Sequence, residues 1–180
     1  PIDFGAHHRL NSSGLVHASN TMRAGPLKVR VTASSRSDVR STVVRFFMGL
    51  GDTAAPTDVN PSTLLRIVGI GYDAADTQVQ FLHNDGTGTA TKIALGASFP
   101  KPNVNSTFAY RLRLFSPPGS TQSLSYEVES LSSGAIASGT VTTDLPAIGD
   151  FVTPKLYTSV GGVSSVVGVT VGPIMFQTED

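Results

Sequence analysis

The sequence predicts an all-β fold, an antiparallel two-sheet β-sandwich with the jelly roll as the favoured version, and three observations carry that expectation. Apolar residues recur with a period of two from Leu27 to Phe176. Gly, Pro, Asn and Asp divide the chain into eight to ten such stretches, spaced about every 8 to 12 residues as in sandwiches. No stretch of about ten residues carries a capped 3.6-residue apolar stripe, and no repeat of about 20 to 50 residues suggests a propeller or solenoid.

The elements follow in order. Residues 1–26 lack alternation and contain Gly5, Gly14, Gly25 and Pro26, so they read as an extended N-terminal arm ahead of one sandwich domain over 27–180. Leu27, Val29 and Val31 alternate with Lys28, Arg30 and Thr32, which puts the two sets on opposite faces of a first strand. Residues 42–48, Thr-Val-Val-Arg-Phe-Phe-Met, are β-branched and aromatic, as in a strand buried on both faces, and residues 49–61 should break it. A strand over 64–72 follows. Val79 and Phe81 alternate with Gln78 and Gln80, and Asn84-Asp85-Gly86 signals a hairpin into a strand over 89–95.

In the next hairpin, Phe108, Tyr110, Leu112 and Leu114 face Leu124, Tyr126 and Val128 across Ser-Pro-Pro-Gly-Ser. Matching apolar to apolar sets Leu112 opposite Tyr126, Leu114 opposite Leu124, and Arg111 opposite Glu127. Further strands read over 135–143, 151–158 and 166–176, with a break at Gly172-Pro173 and one short helical turn at 145–148.

Composition narrows the function. The 180 residues hold 13 Lys+Arg and 13 Asp+Glu, so nothing favours nucleic acid or an acidic membrane as a partner. No apolar run is long enough for membrane insertion by a helix. Charged residues make up 14% while Ser and Thr number 40, so the surface should be hydroxyl and amide. With no Cys, thiol nucleophiles and Cys-based zinc sites are excluded. Pro1 fits either removal of an initiator Met or excision from a longer chain.

Charge is nonetheless unevenly placed. Up to residue 45, seven Lys and Arg stand against Asp3 and Asp38, and His7, His8 and His17 lie in the same stretch. His7, His8, Arg9, His17 and Arg23 are therefore expected to attach the arm to an acidic neighbouring subunit, against the plainer reading of a solvated arm.

Catalytic patterns are weak. Gly49-Leu50-Gly51-Asp52-Thr53-Ala54 matches the dinucleotide fingerprint, but Pro56 and Pro61 follow where a helix should start. No G-x-S-x-G elbow exists, and His83 continues the Val79 and Phe81 face as a packed histidine would. Glu127 and Glu129 share a strand face two residues apart, near the separation of two retaining-glycosidase carboxylates, yet the register gives Glu127 to Arg111 and no Trp offers a sugar platform. Tyr72, Asp73, Asp76, Asn84 and Asp85 form the candidate loop set for a glycan or partner. Calcium binding by the acidic members would require two hairpin ends to meet, and turn formation explains them more simply. No catalytic residue, metal or cofactor is expected.

The segment Asp76-Thr77-Gln78-Val79-Gln80-Phe81-Leu82-His83-Asn84-Asp85-Gly86-Thr87-Gly88-Thr89-Ala90-Thr91-Lys92, running on to Gly96-Ala97-Ser98-Phe99-Pro100, resembles a passage in virion proteins of tailed bacteriophages. Tyr110-Arg111-Leu112, Asp144-Leu145-Pro146 and the closing Gln177-Thr178-Glu179-Asp180 are similar to the way tail-fibre and other structural components of this kind finish. The resemblance covers roughly residues 64–180. It implies a concanavalin A-like sandwich in a virion, and no functional residue set comes with it.

The expectation is thus a non-enzymatic bacteriophage virion structural protein, a fibre, a knob or a capsid-decorating protein. It would bind other virion proteins and itself, as a homo-oligomer and most simply a trimer. The alternative is a receptor-binding module for host attachment through bacterial surface polysaccharide.

Overall fold

Among the described residues, which are 27–37, 44–54, 58–102, 107–117, 122–148, 150, 152–161, 167–171 and 175–177 of a computed structural model, the period-two pattern becomes eleven strands. They are β1 (Leu27–Ser37), β2 (Arg45–Gly51), β3 (Val68–Tyr72), β4 (Gln80–His83), β5 (Thr91–Ala94) and β6 (Thr107–Ser116), then β7 (Leu124–Ser130), β8 (Ile136–Val141), β9 (Thr153–Ser159), β10 (Val167–Val171) and β11 (Met175–Gln177). A six-stranded sheet runs β10-β1-β6-β7-β8, with β11 also on β1, and a five-stranded sheet runs β5-β4-β3-β2-β9. All named pairings are antiparallel. The expected sandwich is the observed fold.

The main core lies between the sheets. Phe46, Met48, Leu50, Val68, Ile70, Tyr72 and Phe81 from the five-stranded sheet meet Tyr110, Leu112, Leu114, Tyr126 and Val128 from the six-stranded sheet. Phe81 stacks on Tyr126 with ring centroids 3.9 Å apart. Alternation along β7, buried at every second residue from Leu124 to Ser130, is the direct imprint of this geometry.

Several details differ from the sequence reading. The hairpin β6–β7 pairs Leu112 with Val128, Leu114 with Tyr126, Arg111 with Glu129 and Arg113 with Glu127, a shift of two residues from the expected register. Both registers keep Tyr110, Leu112, Leu114, Leu124, Tyr126 and Val128 on the inner face, because the side-chain period is itself two. The observed one makes two Arg–Glu pairs where the other makes one.

The second strand continues through Gly51 instead of breaking at Gly49. Gly49 stands opposite Gly69 on β3, and a Cβ on either would come within 2.2 or 2.3 Å of the other strand's carbonyl oxygens. Glycine here permits close strand approach rather than a turn. Residues 64–67 are loop, with β3 starting at Val68. The helical turn is a 3₁₀ turn at Pro61–Thr63, led by proline, and none forms at 145–148.

Candidate functional site

Each sheet has an outer face as well as a core face, and the two outer faces differ. On the five-stranded sheet, outward positions carry Phe47, Leu82 and Tyr157 beside Gly69 and Gly71, and the β2–β3 connection lays Val59, Leu64 and Ile67 over them as a second core. This cap is bonded around its rim. Tyr157 donates from its hydroxyl to the Val59 carbonyl at 2.7 Å and accepts from the Val59 amide at 2.8 Å. Lys155 Nζ reaches Asp52 Oδ1 at 2.6 Å and the Ala54 carbonyl at 3.0 Å. Arg45 donates to Asn60 and pairs with Asp58, which also accepts from Ser159.

The loop residues singled out from the sequence fall into two groups at opposite ends of β3 and β4, since Val68 pairs with His83 while Gly71 pairs with Gln80. Tyr72, Asp73 and Asp76 lie at one end. Tyr72 is buried and stacks on Phe46, with Lys101 Nζ 5.0 Å from its ring centroid. Lys92 Nζ lies 2.6 Å from Asp73 Oδ2 and 2.8 Å from Asp76 Oδ2, so an ammonium group occupies the position between the carboxylates. Burial raises the Asp73 carboxyl, but bonds from Lys92 and from the Ser62 side chain and amide outweigh it and hold the group below its ordinary range. Burial likewise opposes the charged form of Lys92, and its bonds to Asp73 and Asp76 more than reverse that. Asp73 thereby ties the cap at Ser62, whose amide it accepts at 3.0 Å.

Asn84 and Asp85 lie at the other end. Asn84 is fully buried and its Oδ1 accepts from the amides of Arg66 and Gly86 while its Nδ2 donates to the Thr87 carbonyl. Asp85 Oδ1 accepts from the Thr87 amide and hydroxyl. Both shape the loop over 84–90 that joins β4 to β5, a longer link than a tight hairpin. Arg66 and Asp144, the two non-glycine residues with positive φ among the described residues, both bond to this loop. His83 is buried, with Nδ1 3.0 Å from the Asp144 carbonyl oxygen and Nε2 without a hydrogen-bond partner among the described residues. Among the described residues no group of three or more His, Cys, Asp or Glu converges on a metal position. His7, His8, Arg9, His17 and Arg23 lie outside the described residues.

The outer face of the six-stranded sheet is built differently. Arg111 on β6 reaches Glu129 on β7 at 2.6 Å, and Arg113 pairs with Glu127 one row along. Ser125 and Thr140 share a hydrogen bond at 2.9 Å in the next row, beside Phe115, which is partly exposed. In register, Thr32 stands opposite Arg111, Arg30 opposite Arg113 and Lys28 opposite Phe115. This face is a row of guanidinium, carboxylate and hydroxyl groups held on strands, half-buried at Arg111 and Glu129 and more exposed at Arg113 and Glu127. The i, i+2 spacing of Arg111 with Arg113 and of Glu127 with Glu129 was the sequence signal for it. The cap's anchors Arg45, Asp58, Asn60, Lys155 and Tyr157 left no such signal, because their partners are distant in sequence.

No protein-family model matches the sequence, and no curated protein matches it. Solved structures do match in shape. Alginate lyase A1-II′, a member of polysaccharide lyase family 7, superimposes with a TM-score of 0.52 at 11% identity, covering 93% of this chain and 70% of that one. A carbohydrate esterase from the Shiga toxin-encoding bacteriophage phi24B superimposes with a TM-score of 0.50 at 12% identity, covering 89% of this chain and 71% of that one. The fold is a jelly-roll sandwich of the concanavalin A-like type. At these identities the likeness concerns architecture, and the function of this chain rests on its own side chains.

Proposed function

We propose that the chain is a non-enzymatic domain of a bacteriophage virion protein, binding other virion proteins and copies of itself, and that the outer face of its six-stranded sheet contacts bacterial surface polysaccharide. The observation that carries this reading is the contrast between a sealed sheet face and an open one lined by Arg111, Arg113, Glu127, Glu129, Ser125 and Thr140. Fixed guanidinium and carboxylate groups in rows suit the hydroxyls of an extended sugar chain, and Phe115 adds an apolar edge for a ring. Binding rather than catalysis is favoured because each Glu on the face is held by an Arg, while His83 is turned into the protein. The bacteriophage esterase and the alginate lyase support a carbohydrate context by analogy of fold, and the resemblance of residues 64–180 to tail-fibre proteins supports the virion.

The test is adsorption of the purified chain to host cells and to arrayed bacterial polysaccharides, compared with an Arg111→Ala/Arg113→Ala variant. Loss of charge-assisted bonds should weaken binding by about tenfold or more with the circular dichroism spectrum unchanged. Absence of glycan binding, or binding unaffected by the variant, removes the polysaccharide role. Release of new sugar ends from host polysaccharide would make the chain an enzyme and refute the non-catalytic reading. Locating the chain in a density map of the particle tests the virion assignment.

A further inference from the structure

The described sheet edges are not alike. β5 carries Lys92, β9 carries Pro154, which lacks an amide donor, and β10, as neutral as β8, lies against β9 of the other sheet. Charges and proline are the usual guards of an edge. β8, the last strand of the six-stranded sheet, has neither: its residues are Ile136, Ala137, Ser138, Gly139, Thr140 and Val141. Its Ile136 is 61% exposed, more than any other large hydrophobic residue described. A row of backbone donors and acceptors along β8 therefore faces outward beside an uncovered apolar side chain, with no group in the strand to repel another strand.

We propose that β8 pairs antiparallel with β8 of a second copy of this chain, joining two six-stranded sheets about a two-fold axis at Ser138. The register follows from face parity. Ile136, Ser138 and Thr140 are the more exposed set, and Ala137, Gly139 and Val141 alternate with them. Opposed residues in an antiparallel pair share a face, so outer residues meet outer residues only when the two paired residue numbers have an even sum. Setting Ser138 against itself does this, covers Ile136 with Thr140 of the second copy, and places Ala137 against Gly139. The nearest charge behind the dyad, Glu127, stands opposite Ser138 on β7 and is already held by Arg113. A neutral strand thus meets a neutral strand, whereas a charged partner strand would find no counter-ion along this edge. The assembly is isologous and closes at two copies, unlike the trimer expected from the sequence. The inference deepens the self-association reading above and does not depend on glycan binding.

The chain has no cysteine, so a single introduced thiol reports the contact. In the proposed register Ser138→Cys lies opposite its own copy at about 4.5 to 5.5 Å between Cα atoms, within disulfide reach. Thr140→Cys would sit about 13 Å from its copy along the strands. The full chain should sediment as a dimer at micromolar concentration. Ser138→Cys should then cross-link nearly completely under mild oxidation, Thr140→Cys should not, and Ser138→Lys should be monomeric with an unchanged melting temperature. A wild-type monomer at every concentration overturns both the inference and self-association. An oligomer in which Ser138→Cys fails to cross-link, or cross-links no better than Thr140→Cys, overturns the β8 contact alone.

Discussion

The outer faces of the two sheets begin from the same strand geometry and end in opposite states. On the five-stranded sheet the outward residues Phe47, Leu82 and Tyr157 are apolar or aromatic and are covered by the β2–β3 connection. On the six-stranded sheet the outward residues Arg111, Arg113, Glu127 and Glu129 are charged, and the strands that carry them are linked over 117–123, whereas the β2–β3 connection spans 52–67. Alternation alone does not decide whether a face meets water. What decides is the chemistry at the outward positions together with a connection long enough to return across them, here one carrying Val59, Leu64 and Ile67. The first face is sealed into a second core, and the second keeps its charged side chains at the surface.

The largest expected effect comes from breaking the sealed face. Phe47→Ala removes a fully buried ring from the second core and should cost about 3 to 5 kcal/mol in urea unfolding. If the loss were under about 1 kcal/mol, the cap would not be packed on the sheet.

A smaller change should loosen the cap by its rim. Asp73→Asn weakens the bonds to Lys92 and Ser62 and is expected to cost about 1 to 3 kcal/mol. The same carboxyl gives this face an acid dependence. Its folded pKa lies below the ordinary carboxyl value of 3.8, so its contribution is complete above that value and is lost as pH falls through the folded pKa. Hydrogen exchange at the amides of Ser62 and Ala90, the latter bonded to the Ser62 carbonyl, should quicken over that range in the wild type. Asp73→Asn should flatten the response. An identical acid response in the variant would assign it to another group.

The smallest effect belongs to the open face. A double-mutant cycle on Arg113 and Glu127, exposed across β6 and β7, should give a coupling of about 0.2 to 1 kcal/mol that shrinks with added salt. A coupling above about 2 kcal/mol would mean that this face is covered in solution, and the contrast between the sheets would disappear.

The sequence by itself determined the β-sandwich and most of its strand positions, because period-two alternation fixes which side chains can be buried together wherever the strands lie. It also marked residues 42–48 as buried on both faces, which β2 bears out from Phe46 onward with Phe47 in one core and Phe46 and Met48 in the other. The hairpin β6–β7 shows the limit of that reasoning. A slip of two residues leaves the alternation intact, so only closure of the turn and the pairing of two arginines with two glutamates selected the register. The loop carboxylates show a second limit: the ammonium that answers Asp73 and Asp76 comes from Lys92, 16 positions beyond Asp76, and the amide that answers Asp73 comes from Ser62, 11 positions before it. Tertiary structure alone decided that these acids hold a lysine and a cap, because contacts between distant segments leave no local period in the sequence.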